Sequence, residues 1–294
     1  MTHKRDASTA WWMLAPALIV VLGSIGYPML STLYLSFTSS RLTALNRPSS
    51  WVGLENYWAA LTNAGFQQAA LHTAYFTIVS VSLELLLGVF VGLLLNQRFW
   101  GRAWVRVLLI VPLAIPTVVN AMMWRWIYNP EFGAFNALLT QIGVIQEYQS
   151  WLGNPDIAMN MVILADVWKN YPIVALVALA ALQLIPQEWF EAANLDGANA
   201  WVRFWRITWP TILPALSVAI VLRTIEAVKV FDIIYVMTRG GPADATKTLS
   251  FAVYQESFSA LRAGSGAAYA YLVVLVSLAL IALYVTLVRR QERA

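Results

Sequence analysis

Six apolar runs, each of about 20 residues or more, recur along the 294-residue chain and constrain it more than any other feature. They are Trp11 to Phe37, Leu71 to Leu95, Val107 to Ile127, Ile157 to Leu182, Leu213 to Met237 and Ala267 to Val288. A helix of that length, rising 1.5 Å per residue, crosses the ~30 Å of hydrocarbon in a bilayer. Only 12% of the residues are charged and 60% are apolar. A soluble protein carries about twice that charge fraction, so lipid is the solvent for most of this chain. The expected fold is all-α, a single membrane domain over residues 1–294 with six transmembrane helices. The first run is too long for a cleavable signal peptide and continues through Pro28.

Basic residues set the expected direction. Lys4, Arg5, Arg98, Arg102, Arg106, Arg203, Arg206, Arg289, Arg290 and Arg293 fall on one side of the six runs. Arg41, Arg47, Arg125, Arg239, Lys247 and Arg262 fall on the other, spread over longer loops. The denser side is the cytoplasmic one, which puts both termini in the cytoplasm. The outer loops, such as NPEFGAFNALL after Asn129, can hold short surface helices. With a net charge of +4 distributed as orientation signals, no nucleic-acid surface is expected.

Ionisable residues inside spans are costly and therefore informative. The fifth run carries Arg223, Glu226, Lys229 and Asp232 at intervals of three, a spacing that lets opposite charges pair along one helix. The fourth carries Asp166 and Lys169 at the same spacing. Glu84 stands alone in the second run and needs a partner from another helix. These charges either fix helix packing or face a water-filled path. Amide and aromatic side chains at similar depth favour a path. They make Asn120, Trp124, Trp168, Asn170, Tyr171, Glu226, Lys229 and Tyr235 the candidate solute-contacting residues. Trp and Tyr also populate ordinary interfacial belts. Pro112, Pro116 and Pro172 weaken helices three and four locally, which is best tolerated next to protein or water. Gly88 and Gly92 allow close helix packing.

Several chemistries are excluded. The chain has no cysteine and only two histidines, His3 and His72, so no thiol chemistry, His-based metal site or His-dependent triad is expected. GGPADATKT lacks the second Gly before the Lys of a phosphate loop and lies on the outer side. No cofactor is expected on this chain, and uphill transport would need an ion gradient or a partner.

The segment 183–211 joins the fourth and fifth runs on the cytoplasmic side. PQEWFEAANLD has Pro186 at its start and Glu188 and Glu191 early, as a helix N-terminus prefers. Gly197 then ends that helix. ANAWVRFWRITWP interleaves Trp201, Phe204, Trp205 and Trp209 with Arg203 and Arg206, the pattern of a helix lying at the membrane interface, and Pro210 marks the entry to span five. The result is a small rigid projection suited to docking a partner, or to packing on its own protein.

Glu191, Ala192, Ala193, Gly197, Ile207 and Pro210 match, at the same spacing, the cytoplasmic motif of bacterial ABC-importer permease subunits: EAA, three residues, Gly, nine residues, Ile, one residue, Leu-Pro. Trp209 replaces the Leu. FDIIYVMTRGGPADATKTLSFAVYQESF and VPLAIPTVVNAMMWRWIYNPEFGAFNALL resemble the carbohydrate-uptake branch that includes maltose, trehalose and glycerol-phosphate permeases. The GGP stretch resembles the first of that branch's two paralogous subunits.

The resemblance implies a type I ABC-importer permease architecture in the bacterial inner membrane. It implies that Glu191, Ala192, Ala193, Asp196 and Gly197 form a coupling helix seated in an ATPase subunit. It further implies a second permease, two ATPase copies that bind ATP and Mg²⁺, and an external solute-binding protein as partners. A carbohydrate or polyol would be the solute. The rival readings are a gradient-driven transporter using Glu84, Asp166 and Glu226 as ion sites, and a non-transporting membrane scaffold.

Overall fold

A computed structural model describes residues 2–44 and 49–291. Arg47 and Arg293 lie outside them, as do the side chains of Lys4, Arg5, Arg289 and Arg290. Among the described residues the regular structure is helical, with one isolated bridge between Thr38 and Trp51. In chain order the helices are α1 Thr2–Val21, α2 Tyr27–Ser36, α3 Glu55–Thr62, α4 Ala64–Asn96, α5 Arg102–Ala114, α6 Thr117–Ile127, α7 Ala134–Gln141, α8 Pro155–Leu182, α9 Gln187–Leu195, α10 Ala200–Arg203, α11 Trp209–Val228, α12 Asp232–Met237, α13 Leu249–Tyr254 and α14 Ala263–Gln291. π-helical turns at Leu22–Gly26 and Phe204–Thr208 join α1 to α2 and α10 to α11 without a break.

Among the described residues, five helices are long and apolar enough to cross a membrane: Trp12–Ser36, Ala64–Asn96, Pro155–Leu182, Ala200–Val228 and Ala263–Tyr284. The pair α5 and α6 makes a sixth only if a bent pair counts as one span. The expected third span, Val107 to Ile127, is not one helix: α5 and α6 are bent by 100° at the break between them. Ile115 is extended (φ −78°, ψ 125°), the conformation that the ring of Pro116 favours for the residue before it. By contrast α8 passes through Pro172 unbroken.

The fifth expected span, Leu213 to Met237, is also revised. Its helix starts earlier, at Ala200, and ends at Val228. Lys229 caps α11, and Asp232 opens the separate helix α12. The four charges at intervals of three thus do not form one continuous helical stripe. Nor is ANAWVRFWRITWP a separate helix: from Ala200 it runs on into α11. Pro210 directly follows the π turn Phe204–Thr208, where the regular i→i−4 ladder is already interrupted, so its missing N–H costs little there.

The chain divides into two compact units, one holding the N-terminal segment through Asn63 with Val253–Val274, the other Ala64–Ala252 with the chain from Leu275 onward. In the first unit the turn after α2 is closed by Asn56, whose Nδ2 donates to the carbonyls of Ser36 and Thr38, each at 2.9 Å. Phe37 stacks on Trp51 at 5.3 Å, and Tyr271 donates from its hydroxyl to the Met29 carbonyl at 2.6 Å.

The second unit is organised by α4, α8 and α11. Their shared core includes Val89, Val174, Ala178, Leu182, Ile212 and Leu216. α8 is central: 61% of its most apolar window is buried inside the protein, the largest share among the spanning helices. α4 approaches α8 closely because Gly88 and Gly92 face Val174, Ala175 and Ala178. A Cβ on Gly88 would lie 2.5 Å from the Val174 Cβ. α5 packs on the same pair through Leu109, against Leu95, Ala175 and Leu179.

Candidate functional site

Two places in the second unit carry polar chemistry. The first lies between α4, α8 and α11. Arg223 on α11 donates from Nε to Glu84 Oε2 and from Nη2 to Glu84 Oε1, each at 2.7 Å. Nη2 also reaches Asp166 Oδ2 at 3.0 Å, and Nη1 reaches Glu226 Oε2 at 2.8 Å. Glu84 is 0% exposed. Glu84 thus has the partner from another helix that its isolation demanded. The fork of one guanidinium satisfies carboxylates on three helices, a geometry that a lysine cannot reproduce. Asn170 closes the cluster, donating from Nδ2 to the backbone carbonyl and Oδ1 of Asp166, both at 3.0 Å. Asp166 is paired with Arg223, and no ion pair within 4.0 Å joins it to Lys169.

A cavity of about 530 Å³ opens beside this cluster. Its charged lining is Asp166, Lys169, Arg223, Glu226, Lys229 and Asp232, with Asn170, Thr117 and Phe231 beside them. Asn170, Glu226 and Lys229 are thus brought together as a path would require. The other candidates are arranged differently. Asn120 is fully buried and donates to the Ala165 carbonyl at 3.2 Å, while its Oδ1 has no partner. Trp124 meets Trp168 edge-on at 5.8 Å and Tyr128 at 5.2 Å. Tyr171 packs on the core around Leu109 and Ala175. Tyr235 stacks on Phe231 at 5.4 Å, one residue removed from the cavity wall. Asp166, Lys169, Arg223 and Asp232 also line the cavity, although they were not among the eight candidate solute-contacting residues. Their signal was the regular spacing of charges, which fits pairing as well as a path.

The second place is α9. None of its residues is buried. Phe190 packs partly against the α4–α8–α11 core, while Glu188, Glu191, Ala192 and Leu195 remain exposed, Leu195 to 91%. The helix ends in a Schellman closure: Ala198 N–H donates to the Ala193 carbonyl at 2.9 Å and Gly197 N–H to the Asn194 carbonyl at 3.1 Å. Gly197 has φ +71°, and a Cβ there would meet nothing within 4 Å. The need for glycine is conformational, not spatial. Asn199 then caps α10, its Oδ1 accepting from Val202 N–H at 2.9 Å. Arg203 Nη1 bonds Asn194 Oδ1 and ties the two helices together. Gly197→Val is expected to weaken the projection by about 1–2 kcal/mol, the cost of left-handed backbone for a side chain, and Gly197→Asn by less. Limited proteolysis between α9 and α10 would rank the two; equal resistance in both variants would contradict this account.

The stretch GGPADATKT does not cradle an anion. Thr246 Oγ1 donates to the Gly241 carbonyl at 2.8 Å, and the Lys247 ammonium pairs with Asp244 at 3.3 Å.

The described residues combine apolar helices long enough to cross a membrane, a polar cavity between helices and a projecting, unburied helix, a build that suits a membrane transport component. Residues 84–293 match the family of binding-protein-dependent transport system inner membrane components. The chain belongs to that family, as a permease subunit of an ABC importer and not an enzyme. It is 42% identical over 250 residues to the trehalose/maltose transport system permease protein MalF of Thermococcus litoralis, covering 85% of this chain and 83% of that one. It is 34% identical to the sulfoquinovosyl glycerol transport system permease protein SmoG of Agrobacterium fabrum, with 98% and 92% covered. The crystal structure of a bacterial ABC transporter involved in the import of the acidic polysaccharide alginate shares the fold, with a TM-score of 0.80 at 24% identity over 98% of this chain and 96% of that one.

Proposed function

We propose that this chain is one of two permease subunits in an importer for a carbohydrate or polyol, with six spans and both termini in the cytoplasm. α5 and α6 together make the third span, bent at Pro116. The names of the relatives, which concern trehalose, maltose and sulfoquinovosyl glycerol, support the solute class. The energy source is a pair of ATPase subunits that hold ATP and Mg²⁺, and an external binding protein delivers the solute. Family membership favours this over gradient-driven transport.

The observation that carries the reading is the build of α9. A helix with no buried residue is closed at its C-terminus by the Gly197 turn and anchored near its first turn by Phe190, which packs partly buried on the core of α4, α8 and α11. Force applied to Glu191, Ala192 and Ala193 by the ATPase therefore reaches α8 and α11 instead of bending a loop. Closing of the ATPase dimer would tilt these helices, and the cavity beside Asn170, Glu226 and Lys229 would open alternately to either side. The intact complex carrying Glu191→Lys or Ala192→Trp should assemble its membrane subunits but lose ATP-dependent sugar uptake in proteoliposomes. Undiminished uptake by both variants would sink the coupling role.

Lys229 and Lys169 line the cavity without an ion pair within 4.0 Å, whereas Glu226 is held by Arg223. Lys229→Gln should raise the solute KM by about tenfold, the loss of a charge-assisted hydrogen bond. An unchanged KM would take Lys229 out of the path.

A further inference from the structure

We propose that the cavity under α9 is a site for the phosphate-bearing headgroup of an anionic phospholipid. The cavity is about 1160 Å³ and is lined by Arg98, Arg102 and Arg203, with no carboxylate in its wall. Neutral hydrogen-bonding groups complete it, among them Gln183, Gln187 and Asn194. The volume is far beyond a single ion and suits a headgroup.

The arginines are not otherwise neutralised. Arg102 donates to the Gln97 carbonyl at 3.4 Å and Arg203 to the Asn194 amide oxygen, both neutral acceptors. Among the described residues the ion pairs involve Arg223, Lys247 and Arg262, and none involves Arg98, Arg102, Arg106 or Arg203. Arg106, one turn along α5 from Arg102, has its Nε and Nη2 buried without a hydrogen-bond partner but does not line this cavity. Gly101, with φ +86°, opens α5 without a side-chain cap, so the first-turn N–H groups of this same helix lack a side-chain acceptor.

The source of the anion follows from the surroundings. Trp100, Trp104, Trp201 and Trp205 are exposed on the segments that carry these arginines, Trp100 to 98%. Indoles concentrate at the headgroup level of a bilayer, and basic pockets between spanning helices on the cytoplasmic side collect anionic headgroups. A free phosphate would need no such belt. The inference rests on the proposed orientation, which puts this end of the helices at the cytoplasmic headgroup layer, and not on which solute is carried.

The test uses the whole importer complex, purified and exchanged into vesicles of phosphatidylcholine or of phosphatidylglycerol, then extracted and examined by native mass spectrometry. Wild type is expected to retain phosphatidylglycerol at least tenfold over phosphatidylcholine. The Arg98→Gln/Arg102→Gln/Arg203→Gln variant should lose that preference, and the single variants Arg98→Gln and Arg203→Gln should lose part of it, which covers poor assembly of the triple. Equal retention of the two lipids by wild type overturns the proposal. So does unchanged preference in the variants, or displacement of the lipid by millimolar inorganic phosphate alone. Loss of ATPase co-purification with lipid preference intact would assign the arginines to an acidic segment of that partner, and would also overturn it.

Discussion

Replacing Arg223 by alanine should strongly destabilise the second unit. Three carboxylates meet this guanidinium, and Glu84 has no exposure to water. Removal strands Glu84 and Asp166 as buried, mutually repelling acids with no countercharge. Breaking a buried ion pair by deleting one partner costs about 3–5 kcal/mol. At roughly 2–4 °C per kcal/mol, the midpoint of thermal inactivation should fall by about 10 °C. Arg223→Lys keeps the charge but loses the fork that bonds Glu84 twice, so it should fall in between. Removing both charges, as in Glu84→Gln with Arg223→Met, should be less damaging than Arg223→Ala alone. A light-scattering or tryptophan-fluorescence melt of the purified complex ranks these. Wild-type stability in Arg223→Ala would show that the cluster does not hold the three helices.

The second large effect is expected at Gly88, one helical turn from Glu84. A Cβ there would sit 2.5 Å from the Val174 Cβ, 2.7 Å from its Cγ1 and 3.0 Å from the Ala175 backbone nitrogen. None of these atoms is the free end of a flexible side chain, so α4 and α8 must separate. Overpacking of this kind costs about 1–3 kcal/mol, and here it also pulls Glu84 away from Arg223. Gly88→Val is expected to prevent assembly of the complex, and Gly88→Ala to weaken it. Gly92→Ala should be milder, since its nearest atom is the Ala178 Cβ at 2.9 Å. Size-exclusion chromatography of the extracted complex gives the order; a harmless Gly88→Val would mean that this close approach is not needed. Because Gly88 and Glu84 act on the same helix pair, Gly88→Ala and Arg223→Lys should combine non-additively.

Several elements were legible from local chemistry. The EAA-x₃-Gly spacing marked a helix ending at Gly197, and the backbone there is left-handed as that reading requires. The Pro116 break was visible as a proline but not as a 100° bend, because the angle depends on what α5 and α6 pack against. The end of α11 at Val228 had no proline or glycine to announce it. Lys229 caps the helix, and the charge spacing carried the helical reading on to Asp232. Tyr171 had the composition of a path residue but belongs to the core around Leu109, since side-chain type says nothing about which face meets which helix.

By itself the sequence determined the solvent, the helical class and the family. The first two come from apolar runs matched to the bilayer, and the third from the resemblance of Glu191, Ala192, Ala193, Gly197, Ile207 and Pro210 to the family's cytoplasmic motif. All of these are local properties, read within about 20 residues. Tertiary structure alone decided which acids share Arg223. Its bond to Glu84 spans 139 positions, and its bond to Asp166 spans 57. At 3.6 residues per turn, a small rotation of α4 or α8 would bring different side chains together. The close approach of Gly88 and Gly92 to α8 sets that rotation, so the charges that build the cavity wall are selected by packing and not by their order in the chain.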